Sequence, residues 1–307
     1  MKRGKPLLFI SLILILCVLI PTSVFPAVLL QDNFDALPSN WTCSSPAPLW
    51  SAGWNTCGNT AGFGDEMKVG PGRTGGNALY VWKAKHTDLP GMAGFRAGLL
   101  KWLDDYSNRE WYHRWYMLIP ANFDKRFNAG FKFWRYVLRP NGVSNPGVIY
   151  LNANGGGTLG TASLSIYAPP AGSGWVDMFP IASIRDGQWH CFELHIKLDS
   201  PAGAGNGIVQ LFVDGVSVFN STNQHLSNNS LDGIADVGVG IGNTDEDIAW
   251  GNTPSDWGTE WRAIRFDDIV LSTTYVGAGN TISTVPPQPS PPTVPLQPSP
   301  PTNLILR

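Results

Sequence analysis

Strict alternation of apolar and polar residues constrains the fold of this 307-residue chain more than any other feature. From Phe192 to Leu198 every second residue is apolar, and polar residues fill the positions between them. A period of two buries one face of a β-strand and leaves the other face to polar groups. The segment 207–213 alternates in the same way, and Asp214 and Gly215 then form a tight-hairpin signal. The pattern predicts antiparallel strands that are each buried on one face.

In most of the remaining chain, the spacing of Gly and Pro is typical of an all-β protein. Gly and Pro recur at short intervals, as expected for many strands joined by loops. The one modest candidate for a helix is the segment 98–105, which is long enough for one or two turns. Besides the strands named above, we predict an opening strand near Asp32, a closing strand from Trp261, and strands at 78–84, 110–119, 130–138, 148–152, 162–167 and 237–241.

The first residues have the properties of a secretory leader. A basic start precedes an apolar run over 7–20, and Ala27 offers a small residue for cleavage. A membrane span needs about 20 apolar residues, and Pro21 ends this run earlier. We therefore predict a signal peptide over 1–27 and a secreted or cell-surface protein, with no membrane span after cleavage.

The charge balance argues against nucleic acid as a partner. Three of the 21 basic residues lie in the predicted leader, whereas none of the 23 acidic residues does, so the rest of the chain has a net charge of −5. No run of Lys and Arg forms the basic footprint of a nucleic-acid-binding surface.

The last part of the chain predicts a linker rather than a fold. The segment 284–292 reads TVPPQPSPP, and 293–301 repeats it as TVPLQPSPP. Such a proline tandem favours an extended polyproline II conformation. We predict a proline-rich linker or tail over 280–307, which tethers or displays the folded domain over 28–279.

Three cysteines follow the leader. Cys43 and Cys57 flank a loop rich in small and polar residues, and a disulfide between them suits an oxidising compartment. Closing such a loop contributes roughly 3 kcal/mol of stability. Cys191 lies within a predicted strand and is interpreted as a small buried side chain.

Two of the segments resemble a known superfamily. The strand W-H-x-x-E-L-x-x-K-L from Trp189, followed by a strand that ends V-D-G at Gly215, is similar to strands of the concanavalin A-like lectin/glucanase superfamily. The segment 261–277 resembles the last strand of its jelly roll. The resemblance implies an all-β sandwich of two antiparallel sheets, and it implies a carbohydrate ligand.

The 13 tryptophans suit a sugar ligand, because the apolar face of a pyranose stacks on an indole ring. Packing in the sandwich core is the alternative role for any one of them. Alternation shows which residues share a side of each strand, but it does not show which strands are neighbours. If the polar sides line one sheet, they form a carbohydrate-binding cleft of Arg114, Lys132, Trp134, Tyr150, Asn152, Glu193 and His195.

Such a cleft has the groups that β-elimination requires. Arg and Lys neutralise a uronate carboxylate, and Tyr or His moves the proton at C5. Tyr150 and His195 are therefore the candidate catalytic residues. The alternative for Glu193 and His195 is a solvated pair on a strand. The R-x-E-x-R, Q-I-H and Y-x-K-x-G-x-Y signatures of the alginate lyases with this fold are absent.

Hydrolysis of the laminarinase type has less support. That chemistry uses E-x-D-x-x-E on one strand, which the chain lacks. Retaining hydrolysis needs two carboxyl groups about 5–5.5 Å apart, and the acidic run 245–247 has the wrong spacing for that motif.

No cofactor is required by these motifs. The resemblance implies a possible structural calcium, with Asp268 on the last strand and Asp32 on the first as ligands. Calcium takes six to eight oxygens, so the alternative is that these carboxylates cap strand ends. No His and Cys pattern for zinc is present.

Three functions remain open at this point. The first is a secreted carbohydrate-binding domain, and the second is a polysaccharide lyase that acts on an acidic glycan in the same cleft. The third is a structural or adhesive cell-surface module with a protein partner.

Overall fold

A computed structural model gives the structure of the chain. It describes residues 27–41, 54, 56–59, 67–81, 94–103, 107–121, 131–138, 147–154, 161–167, 173–227, 229–243 and 263–279. The predicted signal peptide over 1–27 lies outside these residues except for Ala27, and the predicted linker over 280–307 and Cys43 lie outside them as well.

The described residues form strands joined by turns, with a single 3-10 turn at Ile181–Ile184. The strands are β1 (Val28–Asp32), β2 (Thr56–Asn59), β3 (Met67–Pro71), β4 (Asn77–Val81), β5 (Gly94–Trp102), β6 (Glu110–Leu118), β7 (Phe131–Val137), β8 (Val148–Asn154), β9 (Thr161–Tyr167), β10 (Ser173–Pro180), β11 (Trp189–Lys197), β12 (Gly207–Val213), β13 (Val216–Gln224), β14 (Asp236–Asn243) and β15 (Ile264–Ser272). In this part of the chain no helix is long and apolar enough to cross a membrane.

The strands form two antiparallel sheets, in the arrangement of a jelly-roll sandwich. Sheet A has the order β13-β12-β11-β6-β15-β4-β3, and β1 also pairs with β15. Sheet B has the order β10-β9-β8-β7-β14-β5-β2. Some consecutive strands pair within one sheet, as β7 to β10 do, and others cross to the other sheet. The connection from β6 to β7 is such a crossing, so these two strands are not neighbours.

The alternation in β11 has the predicted effect. Phe192, Leu194 and Ile196 are buried in the core between the sheets, while the residues between them lie on the outer side of sheet A. Burial of each such side chain contributes about 1.5–3 kcal/mol. The hairpin signal is confirmed as well. Asp214 and Gly215 both adopt positive φ, at 50° and 80°, as the turn between β12 and β13 requires.

Large aromatic rings fill the space between the sheets. Trp111 and Trp115 from sheet A and Trp134 from sheet B are fully buried there. The ring of Trp115 stacks on Phe192 with centroids 5.4 Å apart, and Trp134 meets Phe266 edge-on at 5.9 Å. Many of the tryptophans thus serve the core, the alternative role given above.

The segment predicted as a short helix is part of a strand. Residues 98–102 belong to β5, which pairs with β14 on one side and with β2 on the other. Leu99 stands opposite Val239 and is completely buried. Pairing on both edges outweighs the weak local preference of these residues for a helix.

His113 is the one histidine of the described residues that lies in the core. Its Nδ1 is 2.6 Å from the Tyr136 hydroxyl, and its ring packs edge-on against Trp134 at 4.0 Å. Complete burial disfavours the imidazolium, and it lowers the pKa of His113 to about 3. His113 is therefore neutral in the folded protein near neutral pH.

This burial predicts a loss of stability in acid. An unfolded histidine titrates near pH 6.5, so below that pH the unfolded chain binds a proton that folded His113 takes up only near pH 3. We expect the free energy of unfolding to fall by up to about 1.4 kcal/mol per pH unit in that interval because of this residue. The measurement is urea unfolding from pH 7 to pH 4.

The double variant His113→Leu/Tyr136→Phe isolates this contribution, because it removes both members of the buried pair together. Relative to the double variant, the wild type should lose stability as the pH falls. His225→Leu, at an exposed histidine, is the matched control and should retain the wild-type acid slope. Parallel curves for the wild type and the double variant would contradict the prediction.

Candidate functional site

The seven residues predicted to share a cleft lie on two different sheets. Arg114, Glu193 and His195 are on β6 and β11 of sheet A; Lys132, Trp134, Tyr150 and Asn152 are on β7 and β8 of sheet B. The structure therefore does not bring the two groups together. The physical reason is that alternation identifies the side of a strand, whereas the sheet to which the strand belongs depends on long-range pairing.

Trp134 faces the core rather than solvent. A bulge at Phe133 shifts the register between β7 and β8, so that Lys132 pairs with Asn152 but Trp134 pairs with Leu151. Leu151 and Trp134 both belong to the buried cluster. The prediction that Trp134 stacks on a sugar is wrong, because the inserted residue reverses the side on which it lies.

Arg114 and Glu193 hold the end of the domain against sheet A. The two carboxylate oxygens of Glu193 accept hydrogen bonds from the backbone N–H groups of Val276 and Gly277, at 2.6 and 2.7 Å. The Arg114 guanidinium donates to the Gly277 carbonyl at 3.4 Å. Residues 273–279, here called the C-terminal strap, thereby cover part of the outer face of sheet A.

Burial of Glu193 has an electrostatic cost. Only 2% of the residue is exposed, and this desolvation raises the pKa of Glu193 above its ordinary value, more than the two N–H groups and Arg114 lower it. Both oxygens of this carboxylate therefore bind groups of the protein itself. The geometry gives Glu193 a structural role, different from the predicted contact with a glycan.

His195 is also engaged within the protein. Its Nδ1 lies 2.8 Å from Gln210 Oε1, and its Nε2 lies 3.0 Å from Glu110 Oε1. The ring stacks on Tyr112 with centroids 4.1 Å apart and planes 2° from parallel. His195 is 4% exposed, so neither the catalytic role nor the solvated strand pair describes it.

The outer face of sheet B retains the other predicted residues. Ile149 and Leu151 of β8 point into the core, so Tyr150 and Asn152 lie on the opposite side. The Asn152 amide donates to the backbone carbonyl of Tyr150 at 3.3 Å. Lys132 is the register partner of Asn152 on β7.

Arg135 also lies on this face, although the sequence pattern did not predict it there. Its register partner on β8 is Tyr150, and its guanidinium contacts both carboxylate oxygens of Asp236 at 3.2 Å. Burial raises the pKa of Asp236, and Arg135 offsets part of that effect. Simple alternation assigned Arg135 to the side of Phe131 and Phe133, and only the bulge reveals its true side.

Glycines make the neighbouring part of this face shallow. In β14 the valines at 237 and 239 are buried in the core, so Gly238 between them and Gly240 after them lie on the outer side. Gly240 pairs with Gly98 of β5, which in turn pairs with Gly58 of β2. Three strands in a row therefore carry no side chain at this level. The alternation V-G-V-G-I-G is the sequence signal that predicts such a floor.

The two predicted calcium ligands are engaged elsewhere. Asp32 accepts hydrogen bonds from the Phe34 backbone N–H at 2.7 Å and from Trp54 Nε1 at 2.6 Å. Asp268 forms an ion pair with Arg73 at 2.5 Å. Within the described ranges no group of three or more His, Cys, Asp and Glu side chains could hold a metal ion. The capping alternative describes Asp32 better than a metal site does.

Of the two cysteine predictions, the structure describes only the one for Cys191 in full. Cys191 is a buried free cysteine, as predicted, and burial raises its pKa to about 11. The disulfide between Cys43 and Cys57 stays a prediction, because Cys43 lies outside the described residues.

The contacts of Glu193 predict a measurable loss of stability. Glu193→Gln replaces one of the two carboxylate oxygens by an NH₂ group. That group cannot accept the hydrogen bond from the second backbone N–H. We expect the free energy of unfolding to fall by about 1.5–3 kcal/mol, the range for hydrogen bonds to charged groups. Urea unfolding measures it. Glu110→Gln, at a partly exposed ion pair with Lys197, is the control and should cost less than about 1 kcal/mol. Equal losses for the two variants would refute the structural role of Glu193.

No protein-family model matches the chain, and no curated protein sequence matches it. Solved structures are similar to it. The endo-β-1,4-glucuronan lyase from the fungus Trichoderma reesei has a TM-score of 0.51 and 17% identity, over 72% of this chain and 92% of that chain. The alginate lyase Aly36B has a TM-score of 0.48 and 16% identity, over 79% and 95%. Alginate lyase vAL-1 from Chlorella virus has a TM-score of 0.47 and 14% identity, over 68% and 89%. Identities this low show the fold alone. The chain has a two-sheet jelly-roll fold similar to that of the glucuronan lyase, which is the fold that its sequence resemblance implied.

Proposed function

We propose that the protein is exported and binds an acidic polysaccharide along the outer face of sheet B. The observation that carries the proposal is the combination, on one face, of the partly exposed Arg135 and Tyr150 with the glycine row at Gly98 and Gly240. A shallow floor bordered by hydrogen-bonding side chains suits an extended polymer better than a compact ligand, because a polymer needs a surface open at both ends.

We propose an acidic polysaccharide, and not a neutral one, because of Arg135. Its guanidinium uses one terminal nitrogen, Nη2, to contact Asp236, and this contact fixes its position. A guanidinium has five N–H donors in a planar fork that matches a carboxylate.

The fold is compatible with this ligand class. The Trichoderma reesei protein of similar fold is a glucuronan lyase, and glucuronan is an acidic polysaccharide. Because fold alone does not determine function, the proposal depends on the residues of the face, and the comparison adds support of a general kind.

Loss of the Arg135 fork should weaken binding. For Arg135→Gln we expect a fall of roughly tenfold in affinity for polyglucuronate or alginate, the size of about 1.4 kcal/mol, and a weaker dependence of binding on salt. Isothermal titration at two salt concentrations measures both. Arg265→Gln, on the outer face of sheet A, is the matched control and should bind as the wild type does.

Because Arg135→Gln leaves Asp236 without its cation, thermal unfolding of the variant must accompany the titration. Unchanged affinity in a folded Arg135→Gln protein would rule out this face as the site.

A second candidate function is cleavage of the bound chain by β-elimination. It is favoured by Tyr150, which is partly exposed on the outer side of β8 and whose phenol oxygen can take or return a proton. In that reaction a base takes the C5 proton, the electron pair of that bond forms a C4=C5 double bond, and the C4–O bond breaks. The leaving oxygen takes a proton, and the unsaturated sugar becomes the new non-reducing end of one product. An amide or guanidinium beside the carboxylate stabilises the charge that develops after proton removal.

Tyr150→Phe separates binding from cleavage. If the protein is a lyase, a panel of uronate-containing polysaccharides will include one that yields ultraviolet absorbance from unsaturated sugar ends. We expect Tyr150→Phe to lower that turnover by at least 100-fold, the lower bound for loss of a general acid or base, with affinity within about threefold of the wild type. Tyr112→Phe, on the outer face of sheet A, is the control and should retain turnover.

The outcomes distinguish the three functions. Binding without absorbance would leave a binding domain and reject the lyase. Turnover that survives Tyr150→Phe would reject Tyr150 as the proton-transfer group. Absence of both binding and turnover would reject the sugar proposals and leave the adhesive module, whose partner acidic glycans should not displace.

A further inference from the structure

We infer that the outer face of sheet A carries a second carbohydrate site, which takes a neutral pyranose unit of a glycan on one exposed and two partly exposed aromatic rings. Its rings are Tyr112, Phe212 and Tyr275, here called the Tyr275 platform. The inference does not depend on the proposed function, because it concerns the opposite face of the sandwich and a ligand without charge.

The rings of the platform meet at the surface. Tyr275 is 50% exposed, although most aromatic rings of the described residues lie in the core. Its ring meets Tyr112 at 6.2 Å and Phe212 at 5.4 Å, with planes 80° and 61° apart. Tilted rings of this kind present both faces and edges to a ligand, and an aromatic face is the surface on which the C–H side of a pyranose stacks.

The platform is held rigid by contacts that need no ligand. Tyr112 is fixed by the parallel ring of His195, which is itself held by Glu110 and Gln210. Tyr275 directly precedes Val276, whose N–H is bound by the buried Glu193 carboxylate. Ligand binding therefore costs little ordering of side chains, which favours affinity for a small contact area.

Polar groups continue from the rings across the sheet. Tyr112, His195, Gln210 and Asn220 are successive register partners on β6, β11, β12 and β13. Gln210 Nε2 donates to Asn220 Oδ1 at 3.0 Å, and Asn220 is exposed. Amide groups beside an aromatic ring are the usual partners for sugar hydroxyls, since they both donate and accept hydrogen bonds.

The charges around the platform favour a neutral ligand. Glu110 forms an ion pair with Lys197 at 2.8 Å and also contacts His195. On the other side, the Glu193 carboxylate is enclosed and lies near Arg114. Carboxylates thus offset the charges of Lys197 and Arg114, so these two cations give a uronate no advantage over a neutral sugar at the platform.

The site is a surface rather than a pocket. The cleft between Phe212 and Tyr275, which Gly215 and Ala278 also line, is too narrow to admit a water molecule. A sugar ring does not enter it, so the ligand must lie across the rings. Such contact suits internal units of a long neutral glycan, because the chain can continue past the platform in both directions.

Affinity electrophoresis of the mature protein tests the inference. The probes are native gels that contain hydroxyethyl cellulose, laminarin, arabinoxylan or galactomannan, each compared with a gel without glycan. We expect retardation by at least one of them, a loss of affinity of about tenfold or more in Tyr275→Ala, and a loss of severalfold in Asn220→Ala. Tyr275→Phe should keep most of the affinity, since it retains the ring.

Leu231→Ala is the matched control, because Leu231 is an exposed apolar residue outside the platform. It should migrate as the wild type does on every gel. Tyr275→Ala should leave binding to acidic polysaccharide unchanged, so failure here and failure of the proposed function are seen separately. Thermal unfolding of Tyr275→Ala shows whether the strap remains in place, and Asn220→Ala tests the site without touching the strap.

Two results would overturn the inference. One is a wild-type protein that none of the four neutral glycans retards. The other is retardation that persists unchanged in both Tyr275→Ala and Asn220→Ala. If the glycans fail but a purified protein partner binds the wild type and not Tyr275→Ala, the face is a protein contact and the carbohydrate inference is wrong.

Discussion

The packing of aromatic rings between the two sheets is the constraint on which the rest of the structure depends. Trp111, Trp115 and Trp134 fill the interior together with His113 and Tyr136. Because a strand alternates its side chains, committing one side of β6, β7 and β11 to this core commits the other side to the outer faces. The polar residues of these strands are therefore displayed on two surfaces that point in opposite directions, and no single cleft can collect them.

The two outer faces have different chemistry because one of them is covered. On sheet A the strap residues 273–279 are bound by Glu193 and Arg114, which satisfies those charges inside the protein. A buried carboxylate needs such partners, since an unpaired one is strongly destabilising. On sheet B the described residues include no comparable cover over Tyr150 and Arg135, which are partly exposed. The face that the strap covers is thus distinct from the face on which we propose that a polysaccharide binds.

Local sequence patterns predicted the strands better than they predicted the site. The alternation from Phe192 to Leu198 identifies β11 and its buried side, and the hairpin after Val213 follows from Asp214 and Gly215. The helix predicted over 98–105 was wrong, because pairing of β5 on both edges is a long-range property. For the same reason, local alternation did not show that Glu193 and Tyr150 lie on different sheets. Each was placed correctly on the polar side of its strand, but the sheet to which a strand belongs depends on neighbours that local alternation does not encode.

The bulge at Phe133 shows how one residue changes the chemistry of a face. Without it, Lys132 and Trp134 would share a side, and Arg135 would belong to the opposite side of the strand. With it, Trp134 enters the core, while Lys132 and Arg135 become the register partners of Asn152 and Tyr150. A bulge lets a strand satisfy the core and supply functional side chains from adjacent positions that strict alternation would direct apart. The irregular position in β7 therefore carries more information about function than the regular strands around it, and it accounts for both the wrongly predicted tryptophan and the missed arginine.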